Sequence, residues 1–383
     1  MKIPAEFDEI RPYAPEELPG VFDELLADSQ FREIAQSFLK NVPLDVLRQQ
    51  LHACKDNLQV QKTFFYPLLK QLLSKCSKGY DMDASAIEDR TKSYTFVSNH
   101  RDIVLDSAIL AIQLLEKGFP TTVEIAIGDN LLIYPWIKKL VRVNKSFIVQ
   151  RSLTMREMLA SSLRMSRYMH FAVKEKHENL WIAQREGRAK DSNDRTQESV
   201  LKMMAMGGEG TIVERLSELN IVPLTISYEF DPCDYLKAKE FQQKRDNPEF
   251  KKSKADDLLN MQIGINGYKG RIHYHMAAPV NSWISQVADL PKGEIYGEIA
   301  RRMDKEIHRN YALYPINYVA ADLLDGSSAY EACYSADEKA EAEQYFRERL
   351  SMIELPGKDE AFLWRCLLNM YANPLKNKML ALQ

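Results

Sequence analysis

The chain has 383 residues, 45% of them hydrophobic and 27% charged, with a formal net charge of −3. This is ordinary globular material, long enough for one large domain or two smaller ones. The charge excludes a polyanion-binding surface over the whole molecule, so nucleic acid is not an expected partner and any anion site has to be a local cluster of bases.

The N-terminus, MKIPAEFDEIRPYAPEE, is acidic and proline-bearing and lacks the apolar core of a signal peptide. Residues from about 15 to 76 read as helices. Asp28-Ser29 precedes the periodic run Phe31, Ile34, Phe38, and Pro43 opens another with Leu44, Leu47 and Leu51. Residues 79–91 are polar and acidic and read as a linker. From residue 93 short apolar runs at 94–98, 122–127, 146–150, 179–184, 221–227 and 271–276 alternate with helical stretches. That alternation predicts an α/β fold with a mostly parallel central sheet flanked by helices. The lysine-rich stretch 237–254 carries matching acids and reads as solvated helix, and the chain returns to helix after about 292. The expected organisation is a helical accessory domain over 1–90, an α/β domain over 91–290 and a helical C-terminal extension over 291–383.

The five cysteines are scattered and show no CxxC or Cys/His spacing. They argue for reduced thiols in a cytosol and against structural zinc. His273 and His275 stand at i, i+2 without a third ligand nearby, so no metal is expected. No run approaches the ~20 apolar residues of a membrane helix. The expected location is cytoplasmic, with peripheral contact on the inner face of the membrane. Residues 131–141 are apolar, aromatic and basic together, which suits either an interface or an ordinary core helix broken at Pro135.

Four blocks carry chemistry. The first is Ser98-Asn99-His100-Arg101-Asp102-Ile103-Val104-Leu105-Asp106. A histidine ends an apolar strand and two acids open an amphipathic helix, predicted over 103–115. A carboxylate one turn away can fix the imidazole tautomer and balance the imidazolium formed when the ring takes a proton. Asp102 suits an N-cap, and either Asp102 or Asp106 can serve the ring. The second block, Ser146 to Arg151, is an apolar strand closed by an arginine, whose fork of donors matches phosphate. In the third, Trp181 to Asp191, a strand runs into Arg185-Glu186-Gly187-Arg188-Ala189-Lys190, a glycine turn dense in bases. The fourth is the strand Ile221 to Glu229, with Pro223 at its entrance.

In this order and spacing the blocks resemble the glycerophospholipid acyltransferases, the glycerol-3-phosphate and 1-acylglycerol-3-phosphate acyltransferases among them. The resemblance covers about residues 93–280. His100 with a following aspartate looks like the family's histidine–aspartate motif, Glu186-Gly187-Arg188 like its third block and Val222-Pro223 like its fourth. The family usually places four residues between histidine and aspartate, whereas here Asp106 follows five and Asp102 only one. The resemblance implies transfer of a fatty acyl group from acyl-CoA or acyl-carrier protein, as co-substrate and with no further cofactor, to the hydroxyl of lysophosphatidate or glycerol 3-phosphate. His100 would be the general base. Arg151, Arg185, Glu186, Gly187, Arg188, Lys190 and Pro223 would bind the acceptor. A lyso-aminolipid acceptor and a non-catalytic lipid or carrier binder are the alternatives.

Overall fold

The computed structural model describes residues 2–39, 42–151 and 154–383, with Met155 and Lys254 described by backbone alone. Five helices come first: α1 (Leu18–Ala27), α2 (Ser29–Phe38), α3 (Leu44–Ala53), α4 (Asn57–Val60) and α5 (Tyr66–Cys76). Asp28 accepts from the Phe31 N–H and starts α2 at the expected place. Strands and helices then alternate: β1 (Gly79–Asp83), β2 (Thr95–Ser98), α6 (Leu105–Glu116), β3 (Val123–Gly128), α7 (Pro135–Val143), β4 (Ser146–Val149), α8 (Met155–Lys174) and β5 (Asn179–Ala183). They continue through α9 (Glu198–Met204), α10 (Ile212–Glu218), β6 (Ile221–Tyr228), α11 (Asp234–Asp246), α12 (Lys254–Asn266) and β7 (Arg271–Met276). Four helices close the chain: α13 (Lys292–Arg309), α14 (Pro315–Asp325), α15 (Ala336–Ser351) and α16 (Glu360–Ala381).

The seven strands form one sheet in the order β1-β7-β6-β2-β5-β3-β4. Among the described residues only the β6–β7 pairing is antiparallel, so the fold is α/β with a mostly parallel sheet, as the alternation of elements predicts. Alternate side chains serve opposite faces. Phe96, Trp181, Val222 and Leu224 pack on the α6 side. Val97, Leu180, Ile182 and Ile221 pack on the other, against α8 and α13. Successive connections leave β2 toward β3 and return past it to β6, so the chain changes direction about β2. In open parallel sheets the crevice beyond the carboxyl ends at such a point is where ligands bind.

Three expectations are corrected. Residues 79–83 are not linker but the edge strand β1, paired in parallel with β7. Its polar composition reflects the edge, since only Met82 turns fully inward. Stretch 237–254 is solvated only beyond about residue 243. Lys237, Glu240 and Gln242 of α11 are buried, and Lys237 is paired with Asp231. Pro135 does not break a helix but stands at the first position of α7, where its missing N–H costs nothing. Trp136 is covered by the N-terminal helices and packs 6.1 Å from Phe31. Among the described residues no helix is long and apolar enough to cross a membrane.

Candidate active site

His100 lies two residues beyond β2, at the carboxyl edge of the sheet. Its backbone approach is held from both neighbouring strands. The Asn99 amide donates to the Ile226 carbonyl and accepts from the Ile226 N–H, both at 2.8 Å, which ties this loop to β6. The Trp181 indole N–H donates to Ser98 Oγ at 3.0 Å, and the Trp181 ring meets the His100 ring edge-on with centroids 5.6 Å apart. The imidazole is therefore packed before any ligand arrives.

Of the two acids, Asp106 holds the ring. His100 Nδ1 lies 2.8 Å from Asp106 Oδ2. A carboxylate only accepts, so Nδ1 carries the hydrogen and Nε2 is the basic nitrogen. The same Oδ2 accepts from the backbone N–H groups of Arg101 at 2.7 Å and Asp102 at 3.1 Å. Oδ1 accepts from the Tyr228 hydroxyl at 3.0 Å, and the Tyr274 hydroxyl donates to the Asp106 carbonyl at 2.9 Å. Asp106 is fully buried, and four donors to its carboxylate offset the cost of a charge out of water.

Asp102 does not touch the ring. Its Oδ1 accepts from the N–H groups of Val104 at 2.9 Å and Leu105 at 2.8 Å. Asp102 thus closes a turn ahead of α6, whose N-cap is Val104 and whose first residue is Leu105, two later than periodicity predicts, and this turn accounts for the spacing. The turn 101–104 absorbs the extra residue and brings Asp106 under His100. Asp102 is itself buried. Burial raises its carboxyl pKa, the charge of Asp106 adds to that, and the two backbone bonds and Arg188 pull the other way. Gly264 of α12 closes over it, since a Cβ there would stand 2.2 Å from Asp102 Oδ2.

The bases of the third block divide. Arg188 is half-buried close to Asp102, and its Nη2 reaches Asn260 Oδ1 of α12 at 3.4 Å. Arg185 is half-buried on the same loop and Gly187 takes a positive φ of 68° that suits glycine. Arg151 and Glu186 are both exposed and form a 3.5 Å ion pair that links the ends of β4 and β5. Lys190 is drawn away from this group into an ion pair with buried Glu240. Burial pushes the Glu240 carboxyl up, but Lys190, Lys252 and Lys244 together outweigh it and hold it down to about 2. Pro223 is not part of the cluster either. It pairs with Val97 inside the sheet, three residues short of His100 in strand register.

Tyr228, Tyr274, Asn99 and Glu240 carry the site without having been picked out as site residues. A weak signal existed for Tyr274, which shares the inward parity of Ile272 and Met276 on β7. For Glu240 the sequence offered only the i+4 partner Lys244, because Lys190, the partner that ties it to the loop after β5, lies fifty residues earlier. The histidines of β7 are engaged elsewhere, His273 with Asp81 at 2.9 Å and His275 with Asp83 at 3.5 Å. Among the described residues no group of three or more candidate ligands could hold a metal ion.

No protein-family model matches the chain. No curated protein matches it either. Among solved structures it is similar to the crystal structure of the 1-acyl-sn-glycerophosphate (LPA) acyltransferase PlsC from Thermotoga maritima, with 11% identity and a TM-score of 0.38, over 78% of this chain and 98% of that one.

Proposed function

We propose that the protein is an O-acyltransferase, transferring a fatty acyl group from acyl-CoA or acyl-carrier protein to the hydroxyl of a phosphate-bearing acceptor, lysophosphatidate or glycerol 3-phosphate. The observation that carries this reading is the His100–Asp106 pair at the carboxyl edge of a parallel sheet, with Nδ1 committed at 2.8 Å and Nε2 basic. Nε2 takes the proton as the acceptor oxygen attacks the thioester carbonyl. The tetrahedral intermediate collapses, the carbon–sulfur bond breaks, and the thiolate leaves with the proton from the imidazolium. Asp106 balances the imidazolium charge in between. No acyl-enzyme is needed, which agrees with the lack of a GxSxG nucleophile motif in the sequence.

Arg188 is the principal phosphate contact, assisted by Arg185 and by Arg151 once Glu186 yields it. Lys190, committed to Glu240, leaves the clamp. Holding the acceptor in this way supplies several kcal/mol toward the barrier, and the base step contributes ~10²–10⁴-fold. The proposal extends to location: a cytoplasmic protein in peripheral contact with the membrane's inner face suits such chemistry at a lipid substrate.

The test is incubation of the purified protein with radiolabelled lysophosphatidate or glycerol 3-phosphate and palmitoyl-CoA or palmitoyl-carrier protein, beside His100→Ala. Labelled product that falls ~10²–10⁴-fold in the variant, with an unchanged circular dichroism spectrum, is expected. Product formed equally by His100→Ala overturns the assignment. Product only from a lyso-aminolipid keeps the base and discards the phosphate acceptor.

A further inference from the structure

The loop after β5 serves a second place in the molecule. Arg195 and Thr196 join α13 and the last turns of α16 around an open groove of about 510 Å³. That lies within the 300–1,000 Å³ usual for small-molecule sites. Two of its three cationic side chains, Arg195 and Lys305, have no carboxylate partner among the described residues. Arg195 donates to His308 Nδ1 at 2.8 Å and to Asn377 Oδ1 at 2.9 Å, both neutral acceptors. The His308 Nε2–H in turn donates to the Asp194 carbonyl at 2.9 Å. Lys305 forms no ion pair among the described residues, and Arg301 turns to Glu298 at 2.7 Å. The two acids lining the groove are occupied. Asp304 accepts from Thr196 N and Oγ1 at 2.8 and 2.6 Å, and Glu198 pairs with Lys202 at 2.9 Å. Burial raises the Asp304 carboxyl pKa, and the Thr196 bonds and Arg195 pull it the other way. Ala300, Leu380 and Ala381 supply an apolar wall.

A groove with a cationic side, an apolar side and neutral groups fixing its arginine suits an organic anion. It is also tied to the candidate active site: Asp194, which receives His308, is ion-paired through its carboxylate with Arg101, the residue after His100. We propose that this groove is a second binding site, for an organic phosphate of nucleotide size, and that it receives the nucleotide end of the CoA thioester donor. The identity of the donor rests on the acyltransferase reading, whereas the phosphate site rests on the groove alone.

Isothermal titration of the full chain with CoA tests it, using wild type, Arg301→Gln/Lys305→Gln and His100→Ala. Wild type and His100→Ala should bind CoA saturably, and the double variant at least ~10-fold more weakly with an unchanged circular dichroism spectrum. Adenosine 3′,5′-bisphosphate should compete, and inorganic phosphate at the same concentration should not. Equal CoA affinity in the double variant, or no saturable binding up to about 1 mM, overturns the proposal. Equal competition by inorganic phosphate reduces the groove to a bare anion site and overturns the donor assignment. The single variant Lys305→Glu, a change at an exposed position, repeats the comparison if the double variant misfolds. Product from acyl-carrier protein without CoA binding would sink this inference and leave the acyltransferase reading standing. CoA binding without His100-dependent product would do the reverse.

Discussion

The ends of β2 and β5 are neighbours on the same edge of the sheet, yet they are built differently. Beyond β2 the carboxylate of Asp106 has a donor at every useful position, and Asn99 and Trp181 lock the loop from either side. Beyond β5 the side chain of buried Gln184 has no hydrogen-bond partner among the described residues, Arg151 meets Glu186 only at the surface, and Lys190 answers to Glu240. The first region is rigid and pre-organised, as a proton-transfer site has to be. The second holds its bases on a loop with a glycine at positive φ. On the proposed function, chemistry and recognition are separated between adjacent strands, which gives sharp ways to test the division.

The largest effect should come from Asp106→Asn. The amide keeps the shape but accepts at only one atom, so it cannot satisfy His100, Tyr228 and two backbone N–H groups together. Turnover should fall ~10²–10⁴-fold with the acceptor KM little changed. A fall in KM-controlled binding with kcat intact would erase the contrast between the two strand ends.

A smaller and different effect is expected beyond β5. A charge-assisted bond from Arg188 to phosphate is worth about 1.5–3 kcal/mol, so Arg188→Ala should raise the acceptor KM ~10–100-fold at nearly constant kcat. Lys190→Met should leave that KM near the wild-type value, because Lys190 already serves Glu240. Steady-state kinetics of the pair decides it: an equal rise in both would restore Lys190 to the clamp.

The mildest prediction concerns pH. Burial, then the charges of Arg195 and Arg101, lower the His308 pKa from 6.5 to about 3. The unfolded chain protonates this ring below about 6.5 while the folded protein does not. Its contribution to stability is therefore fully present above that pH and is lost as pH falls toward about 3. His308→Gln, which can still accept from Arg195 and donate to Asp194, should flatten the decline of Tm between pH 6.5 and 4. An unchanged slope would place the acid sensitivity elsewhere.

Much of this was legible in the residues. Apolar runs at strand length, alternating with helical periods, specify a parallel α/β sheet because each strand is buried on both faces. The histidine after one run and the acids at the next helix are local chemistry, readable within a single turn of chain. The choice between Asp102 and Asp106 stays open in the residues and is made by the structure, where Asp102 accepts from Val104 and Leu105 while Asp106 meets the ring. What the sequence could not decide depends on partners distant along the chain. Edge strand β1 is polar because of its place beside β7, and Glu240 removes Lys190 from the clamp across fifty residues. Tyr228 reaches Asp106 across more than a hundred. Charges act through space, with strengths set by burial and distance, and only the tertiary structure determines which charges meet.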